Sequence, residues 1–540
     1  MKQVTALLAT LALTSAAALA AAPKSQHTGT PPESGAGPAS VFSPRAVKST
    51  GTVTVEGHKI AYEAVAGTII VHPKGWDDAA RPAEDPKHPI GTAAGPAVAS
   101  VFYVAYFEQG VDPRTRPVTF LYNGGPGSST VWLHMGAFGP VRVVTSNDSH
   151  TPPAPYGTAD NAYSLLDVSD LVFIDAPGTG FSRIEGKDKQ KAFWGVDQDA
   201  YAFSSFITRF LSKYDRWNSP KYLFGESYGT PRSAVLINDL ETHDDIDFNG
   251  IILLSQILNF DLSADDPQYN PGVGLPYEVE LPTFAATAWY HHLLAPQPAD
   301  LQSFLQEVEQ FAIGDYARAL AQGSSLSKEQ FQAIAAKLHD YTGLPLAYIE
   351  KANLRISGLE FEHELQNDAD LTTGRLDTRF SGPSMDPLDK EAQYDPQAAA
   401  ISSAYVSAFN DYVRHDLHYG AQETYLPEID IPKWDYAHQT PGTSSPQEIT
   451  TNVMPDLASA MKYDPRLKIC LNGGYFDLAT PFYEGIYEMH HLQIPPDLQS
   501  NIEYHYYPSG HMVYANEASL KQLHDNVAAF IRKADNQTGG

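Results

Sequence analysis

Lys221-Tyr-Leu-Phe-Gly225-Glu-Ser227-Tyr-Gly229, followed by Ser233-Ala-Val-Leu-Ile237, joins an apolar run, a Gly-x-Ser-x-Gly pentapeptide and a second apolar run of helical character. The chemistry requires that context. A strand that turns sharply into a helix projects a serine hydroxyl from the edge of a sheet, and small flanking residues relieve the crowding of the turn. The N-terminus of the helix beneath it stabilises negative charge that develops there. The bare pentapeptide arises by chance in long chains, and a plain structural turn is its bland reading. With strand before and helix after, Ser227 is the candidate nucleophile.

Further short apolar runs lie outward from this point, each ending at a loop signal: Val118-Thr-Phe-Leu-Tyr122, Leu171-Val-Phe-Ile174 and Ile251-Ile-Leu-Leu254. Helical patterns lie between them, notably Tyr201 to Trp217 with Phe203, Phe206, Phe210 and Leu211 on one face. Alternating strand and helix implies an α/β fold with a mostly parallel central sheet covered on both sides. Thr52 to His72 and Ala97 to Phe107 alternate as strands of an antiparallel edge. Two more strand runs, Leu467 to Leu471 and Ile502 to Tyr507, come near the C-terminus.

A nucleophile on such a turn calls for an acid and then a histidine later in the chain. Asp477 follows the run Leu467 to Leu471, and His511 follows Ile502 to Tyr507. Both stand at carboxyl ends of expected strands, where α/β sites are built. His511 is expected to take the proton of Ser227, and Asp477 to orient the imidazole and stabilise its cationic form.

The expected organisation is a signal peptide over 1–22, a flexible leader over 23–48, a first part of the core over 49–260, an inserted and largely helical cap over 261–455, and a second part of the core over 456–535. Lys2 followed by the uncharged, Ala- and Leu-rich run Thr5 to Ala20 and an Ala-x-Ala site reads as an export signal. Residues 23–48 are rich in Pro, Gly, Ser and Thr without periodicity. In the cap, Ser327 and Gln330 form a capping box ahead of a helix, and Ile401, Tyr405, Ala408, Phe409, Tyr412 and Val413 make an amphipathic stripe.

Composition excludes several classes of function. The 540 residues carry a formal net charge of −28, which argues against a protein that tracks phosphates along nucleic acid and against docking on an anionic membrane. With 43% hydrophobic and 19% charged residues there is ample material for a packed core. Cys470 is the one cysteine and lies in an apolar run, so it reads as a buried small hydrophobe in a chain without internal disulfides. No cofactor is expected. His363-Glu-Leu-Gln-Asn367 lacks the second histidine of a zinc helix, and neither His291-His292 nor His490-His491 has a clear third ligand, so no metal is expected either. Arg375 to Asp386 is a polar stretch that either lines a substrate cleft or forms a solvated loop.

Asn123-Gly-Gly-Pro-Gly-Ser-Ser129, Ile174-Asp-Ala-Pro-Gly-Thr-Gly-Phe-Ser182, Gly225-Glu-Ser-Tyr-Gly229 and Gly510-His-Met-Val513 together resemble the serine carboxypeptidase family, and the overall likeness is to its bacterial members. The resemblance implies an α/β-hydrolase fold, with Ser227, Asp477 and His511 as its triad. It puts the oxyanion hole on the backbone N–H groups of Gly125 and Tyr228, and recognition of a peptide's terminal carboxylate on Asn123, Gly124 and Glu226. Two positions depart from the family: Ala137 stands where it commonly has Glu, and Ser128 where it has Cys. The expected function is thus an exported serine carboxypeptidase, periplasmic or secreted, acting on a peptide substrate as a monomer or homodimer. No nucleic acid is expected as a partner, and no membrane once the signal is removed. An esterase or acyltransferase on the same triad is the alternative among enzymes, because the triad does not choose its acceptor. A catalytically weak cell-envelope binding protein is the alternative of another class.

Overall fold

The computed structural model describes residues 42–79, 87–265, 267–447 and 449–536. The expected signal peptide lies outside them, as does most of the expected leader. The leader's end is corrected: the first strand, β1, spans Ala46–Val55 and so begins before residue 48. β1 pairs antiparallel with β2 (His58–Val71). The alternation that runs unbroken from Thr52 to His72 in the sequence is therefore two strands. Their two-residue turn is Glu56-Gly57, both at positive φ, the geometry that matches the twist of a hairpin.

β3 (Val98–Glu108) continues the antiparallel edge and leads into six parallel strands. These are β4 (Val118–Tyr122), β5 (Asp170–Ile174), β6 (Lys221–Glu226), β7 (Gly250–Leu254), β8 (Lys468–Gly474) and β9 (Ile502–Tyr507). Their spatial order is β5-β4-β6-β7-β8-β9, and a short strand, Arg183–Glu185, also pairs with β3. β4, β5 and β7 are buried at every residue, as strands covered on both faces must be. One face is covered by the helices Val196–Tyr214, Gly229–Thr242 and Met454–Tyr463, with Phe203, Phe206, Leu236 and Leu457 in contact with the sheet. The other carries the helices Pro396–His415 and Glu517–Ala534, with Tyr405, Phe409, Leu523 and Val527. The arrangement is an α/β-hydrolase fold.

Between β7 and β8 a further helical layer has its own apolar cluster. It is built from Leu275–Tyr290, Leu301–Phe311, Lys328–Thr342 and Gly358–Glu364. Phe476, Leu478 and Phe482, just after β8, complete that cluster, so the loop that carries Asp477 is clamped from the helical side. Ser327 and Gln330 make both bonds of a capping box, and Ser357 with Glu360 makes another. Helical character does not persist through this region. No helix is found among the described residues from Asp416 to Val453, where the chain runs extended and bridges Ser128, Gly180 and Gly195 through Glu428, Leu426 and Asp435. Pro427, Pro432, Pro441 and Pro446 explain this, since proline lacks the N–H and clashes with the preceding turn. Cys470 is buried in β8, and burial pushes its thiol up to about 12, which keeps it inert. Among the described residues no helix is long and apolar enough to cross a membrane.

Candidate active site

β6 ends at Glu226, and the helix Gly229–Thr242 begins three residues later. Ser227 lies between them at φ +59°, in the left-handed region that a non-glycine residue enters only when its surroundings hold it there. They do. The Ser227 N–H donates to the Leu254 carbonyl at 3.0 Å, and the Ser227 carbonyl accepts from Thr230 N–H at 2.8 Å. The two glycines of the pentapeptide make the turn possible through close approach. A Cβ on Gly225 would fall 2.2 Å from the Gly229 carbonyl oxygen, and one on Gly229 would fall 3.0 Å from that of Tyr122. Ser227 is partly exposed while its neighbours Glu226 and Tyr228 are buried, so the hydroxyl is presented from the sheet edge.

Asp477 and His511 arrive from the ends of β8 and β9. His511 Nδ1 is 2.8 Å from Asp477 Oδ2, and the carboxylate is wholly buried. Asp477 Oδ1 accepts the N–H groups of Ala479 and Thr480 at 2.9 and 3.0 Å, and Thr480 Oγ1 donates to Oδ2 at 2.8 Å. With its oxygens committed in this way, the carboxylate has one orientation. The His511 backbone is also held, by its N–H to the Leu376 carbonyl at 2.6 Å and by the Ser255 hydroxyl to its carbonyl at 2.7 Å. Burial acts to lower the His511 pKa, but the adjacent Asp477 outweighs it and the value is raised.

Ser227 and His511 line one cleft of about 570 Å³, together with Asn123, Gly124, Gly125, Glu226 and Tyr228. The structure thus brings together the residues expected for the triad, the oxyanion hole and the carboxylate subsite, with Asp477 behind His511. Gly124 fits only without a side chain, because a Cβ there would fall 2.3 Å from the Tyr228 nitrogen. That approach places the two amides expected to form an oxyanion hole, of Gly125 and Tyr228, on one stretch of cleft wall. Asn123 is buried, its side-chain oxygen accepting Leu133 N–H at 3.1 Å and its carbonyl accepting Arg232 Nη1 at 2.7 Å. Arg232 is itself held by Asp199 at 2.5 Å. Glu226 is buried beside Asn123 and its pKa is pushed up to about 7, chiefly by burial.

Several residues of the site carried no signal in the sequence. Tyr514 donates its phenol to Glu226, 3.0 and 2.8 Å from the two carboxylate oxygens. Thr480 anchors Asp477, and its position three residues after an aspartate, next to a proline, is the one feature that marks it as a turn-forming partner. Of the polar stretch 375–386, Arg375 and Leu376 line the cleft, and Arg375 grips Asp265 through Nε and Nη2. The next residues turn inward, with Asp377, Thr378, Arg379 and Phe380 buried. Ile257, Phe260 and Tyr436 give one part of the cleft an apolar wall. Among the described residues no group of three or more His, Cys, Asp or Glu is arranged to hold a metal ion.

Comparison with known proteins bears on the family and the fold. The family model described as serine carboxypeptidase matches residues 92–524. Serine carboxypeptidase S10 family member 1 of Dictyostelium discoideum is 33% identical over 141 residues, which cover 24% of this chain and 29% of that protein. Carboxypeptidase Y of Saccharomyces cerevisiae is 27% identical over 170 residues, covering 31% and 30%. The alignments therefore span less than a third of these relatives' length. The crystal structure of a prohormone-processing carboxypeptidase from Saccharomyces cerevisiae superposes with a TM-score of 0.50 at 16% identity, covering 87% of this chain and 91% of that one. This likeness bears on the fold.

Proposed function

The chain belongs to the serine carboxypeptidase family, and on that premise we propose that it is an exported serine peptidase releasing residues from the C-termini of peptides through an acyl-enzyme on Ser227. Ser227 Oγ attacks the carbonyl carbon of the last peptide bond, and its proton passes to His511 Nε2. Asp477 fixes the ring with Nδ1–H toward itself and stabilises the imidazolium that forms. The carbonyl oxygen, now negative, is held by the amides of Gly125 and Tyr228, a contribution worth about 10²–10³ in rate for one such donor. His511 then protonates the leaving amine, the C–N bond breaks, and the terminal residue departs. Water, deprotonated by His511, cleaves the ester and restores Ser227. Asn123, Gly124 and Glu226 receive the free carboxylate of the substrate. The N-terminal pattern of Lys2 and Thr5 to Ala20 supports export, to the periplasm or medium of a bacterium.

The observation that carries this reading is the strained backbone of Ser227 opening on the same cleft as the Asp477–His511 pair, whose Nδ1–Oδ2 distance is 2.8 Å. The test is mass spectrometry of a peptide mixture, with free and with amidated C-termini, after incubation with wild type and Ser227→Ala. Stepwise loss from free C-termini, abolished in the variant, is the expected result. Ser227-dependent cleavage of simple esters with no trimming of any peptide would refute the peptidase reading and leave an esterase or acyltransferase.

A further inference from the structure

Glu226 has one partner that reaches both of its oxygens. Tyr514 lies in the single turn Val513–Ala515 that follows His511, and its hydroxyl is 3.0 Å from Oε1 and 2.8 Å from Oε2 of Glu226. Its ring is buried, and with Tyr405 it closes over Gly136, where a Cβ would fall 2.6 Å from Tyr514 Cδ2 and 2.7 Å from Tyr405 Cε1. The neighbouring Ala137 is also buried and brings no polar side chain. We propose that Tyr514 is the positioning residue of the carboxylate subsite, holding Glu226 by a permanent phenolic donor and thereby setting the pH range over which Glu226 receives a peptide's free C-terminus. This rests on the carboxypeptidase reading of the same cleft.

The physical argument starts from what Glu226 must do. An ionised carboxylate facing a substrate carboxylate repels it, whereas a protonated one donates a hydrogen bond to it. Affinity for a free C-terminus therefore falls as Glu226 loses its proton. The groups acting on that proton are few. Burial raises the Glu226 pKa, His511 from the loop after β9 lowers it by its charge, and the bonds from Tyr514 and Asn123 lower it further, while Asp477 raises it. Tyr405, from the helix Pro396–His415, is the remaining titratable neighbour, and it, like Tyr514, is held neutral far above the working range by burial. Tyr514 therefore donates at every working pH, and its bond favours the anion of Glu226. Removing that donor must make Glu226 hold its proton to higher pH.

The test compares KM and kcat against pH for an N-blocked dipeptide with a free C-terminus and for its C-terminal amide, using wild type and Tyr514→Phe. For the free acid, the alkaline rise in KM is expected to move upward by about one pH unit in Tyr514→Phe, as loss of a hydrogen bond to a charged group predicts. The amide, which offers no carboxylate, is expected to show no such displacement. An unmoved limb for the free acid overturns the proposal, and so does an equal displacement for both substrates, which would place the effect on His511. A second variant covers poor folding of the first. Glu226→Gln accepts the phenol in the same place and does not titrate, so the alkaline rise in KM must vanish; its persistence also overturns the proposal. A wild type that shows no preference for acid over amide at any pH refutes the carboxypeptidase reading itself, and the proposal with it.

Discussion

Replacing His438 tests how the apolar wall of the cleft is held. The ring is buried between two carboxylates, with Nδ1 2.6 Å from Asp197 Oδ1 and Nε2 2.8 Å from Asp456 Oδ2. Both nitrogens face acceptors, so the site is built for the imidazolium. Burial acts to lower the pKa, but the bonds and charges of the two carboxylates exceed it and raise the value to about 9. The rise from 6.5 to about 9, at about 1.4 kcal/mol per pH unit, ties about 3–4 kcal/mol of folding stability to this proton. Because the folded value is raised, that contribution is whole below about pH 6.5 and is lost as the pH climbs through about 9. The same segment shapes the cleft: Asp435 accepts Val196 N–H at 2.9 Å, and the carbonyl of Tyr436, a cleft residue, accepts Thr451 Oγ1 at 2.7 Å. Urea unfolding of wild type and His438→Gln at pH 6 and pH 9.5 is the assay. Glutamine donates to one carboxylate at most, so the variant is expected to be about 3 kcal/mol less stable at pH 6. The gap should shrink to about 1 kcal/mol or less at pH 9.5, where wild type has lost the proton too. An equal gap at both pH values would refute the reasoning.

Two further substitutions separate orientation from shape. Asp477→Asn keeps the packing but favours the wrong imidazole tautomer, so kcat on an activated ester is expected to fall about 10³–10⁴-fold with the melting temperature nearly unchanged; a loss below tenfold would remove Asp477 from the mechanism. Gly124→Ala forces a Cβ to within 2.3 Å of the Tyr228 nitrogen and 2.7 Å of the Gly229 nitrogen, backbone atoms of the nucleophile turn that can yield only by moving the turn itself. A fall in kcat of about 10²-fold or more is expected, and wild-type kcat in a folded variant would show that this stretch of wall takes no part.

The core of the molecule was legible because its signals are local. β4, β5, β6 and β7 are short apolar runs ending at loops, and the nucleophile turn is a contiguous pattern whose glycines are demanded by contacts within a few residues. Asp477 and His511 were found through chain order and strand ends, which are properties of the fold. The residues that escaped act across long separations. Tyr514 meets Glu226 across 288 positions and His438 meets Asp197 across 241, and no spacing rule announces either pair. The helix Leu275–Tyr290 escaped for another reason. It is buried on nearly every side from Pro276 to Ala288 and contains Pro282, so it shows neither a polar face nor the usual composition. The extended course of Asp416 to Val453 was written in its prolines, but the helical stripes before it outweighed them.

On the carboxypeptidase reading, Glu226 and His511 work on either side of the substrate's last residue and share a proton count. His511 must be neutral to accept the proton of Ser227, and Glu226 must be protonated to bond a carboxylate. Burial favours both neutral forms, since it raises Glu226 and lowers His511. Their mutual attraction opposes burial and favours the ion pair: the charge of His511 lowers Glu226, and that of Glu226 raises His511. Tyr514 adds to the same side by stabilising the carboxylate, while Asp477 acts on both, stabilising the imidazolium and disfavouring the Glu226 anion. The neutral pair and the ion pair hold equal numbers of protons, so pH cannot convert one into the other. The limbs of a pH profile then belong to the pair as a whole, and the balance between the two forms sets its height. On the carboxypeptidase reading, a substrate carboxylate tips that balance. Seated against Glu226 it stabilises the protonated acid directly, and the proton that Glu226 keeps is one that His511 does not hold. On that reading, recognition of a free C-terminus also readies the base.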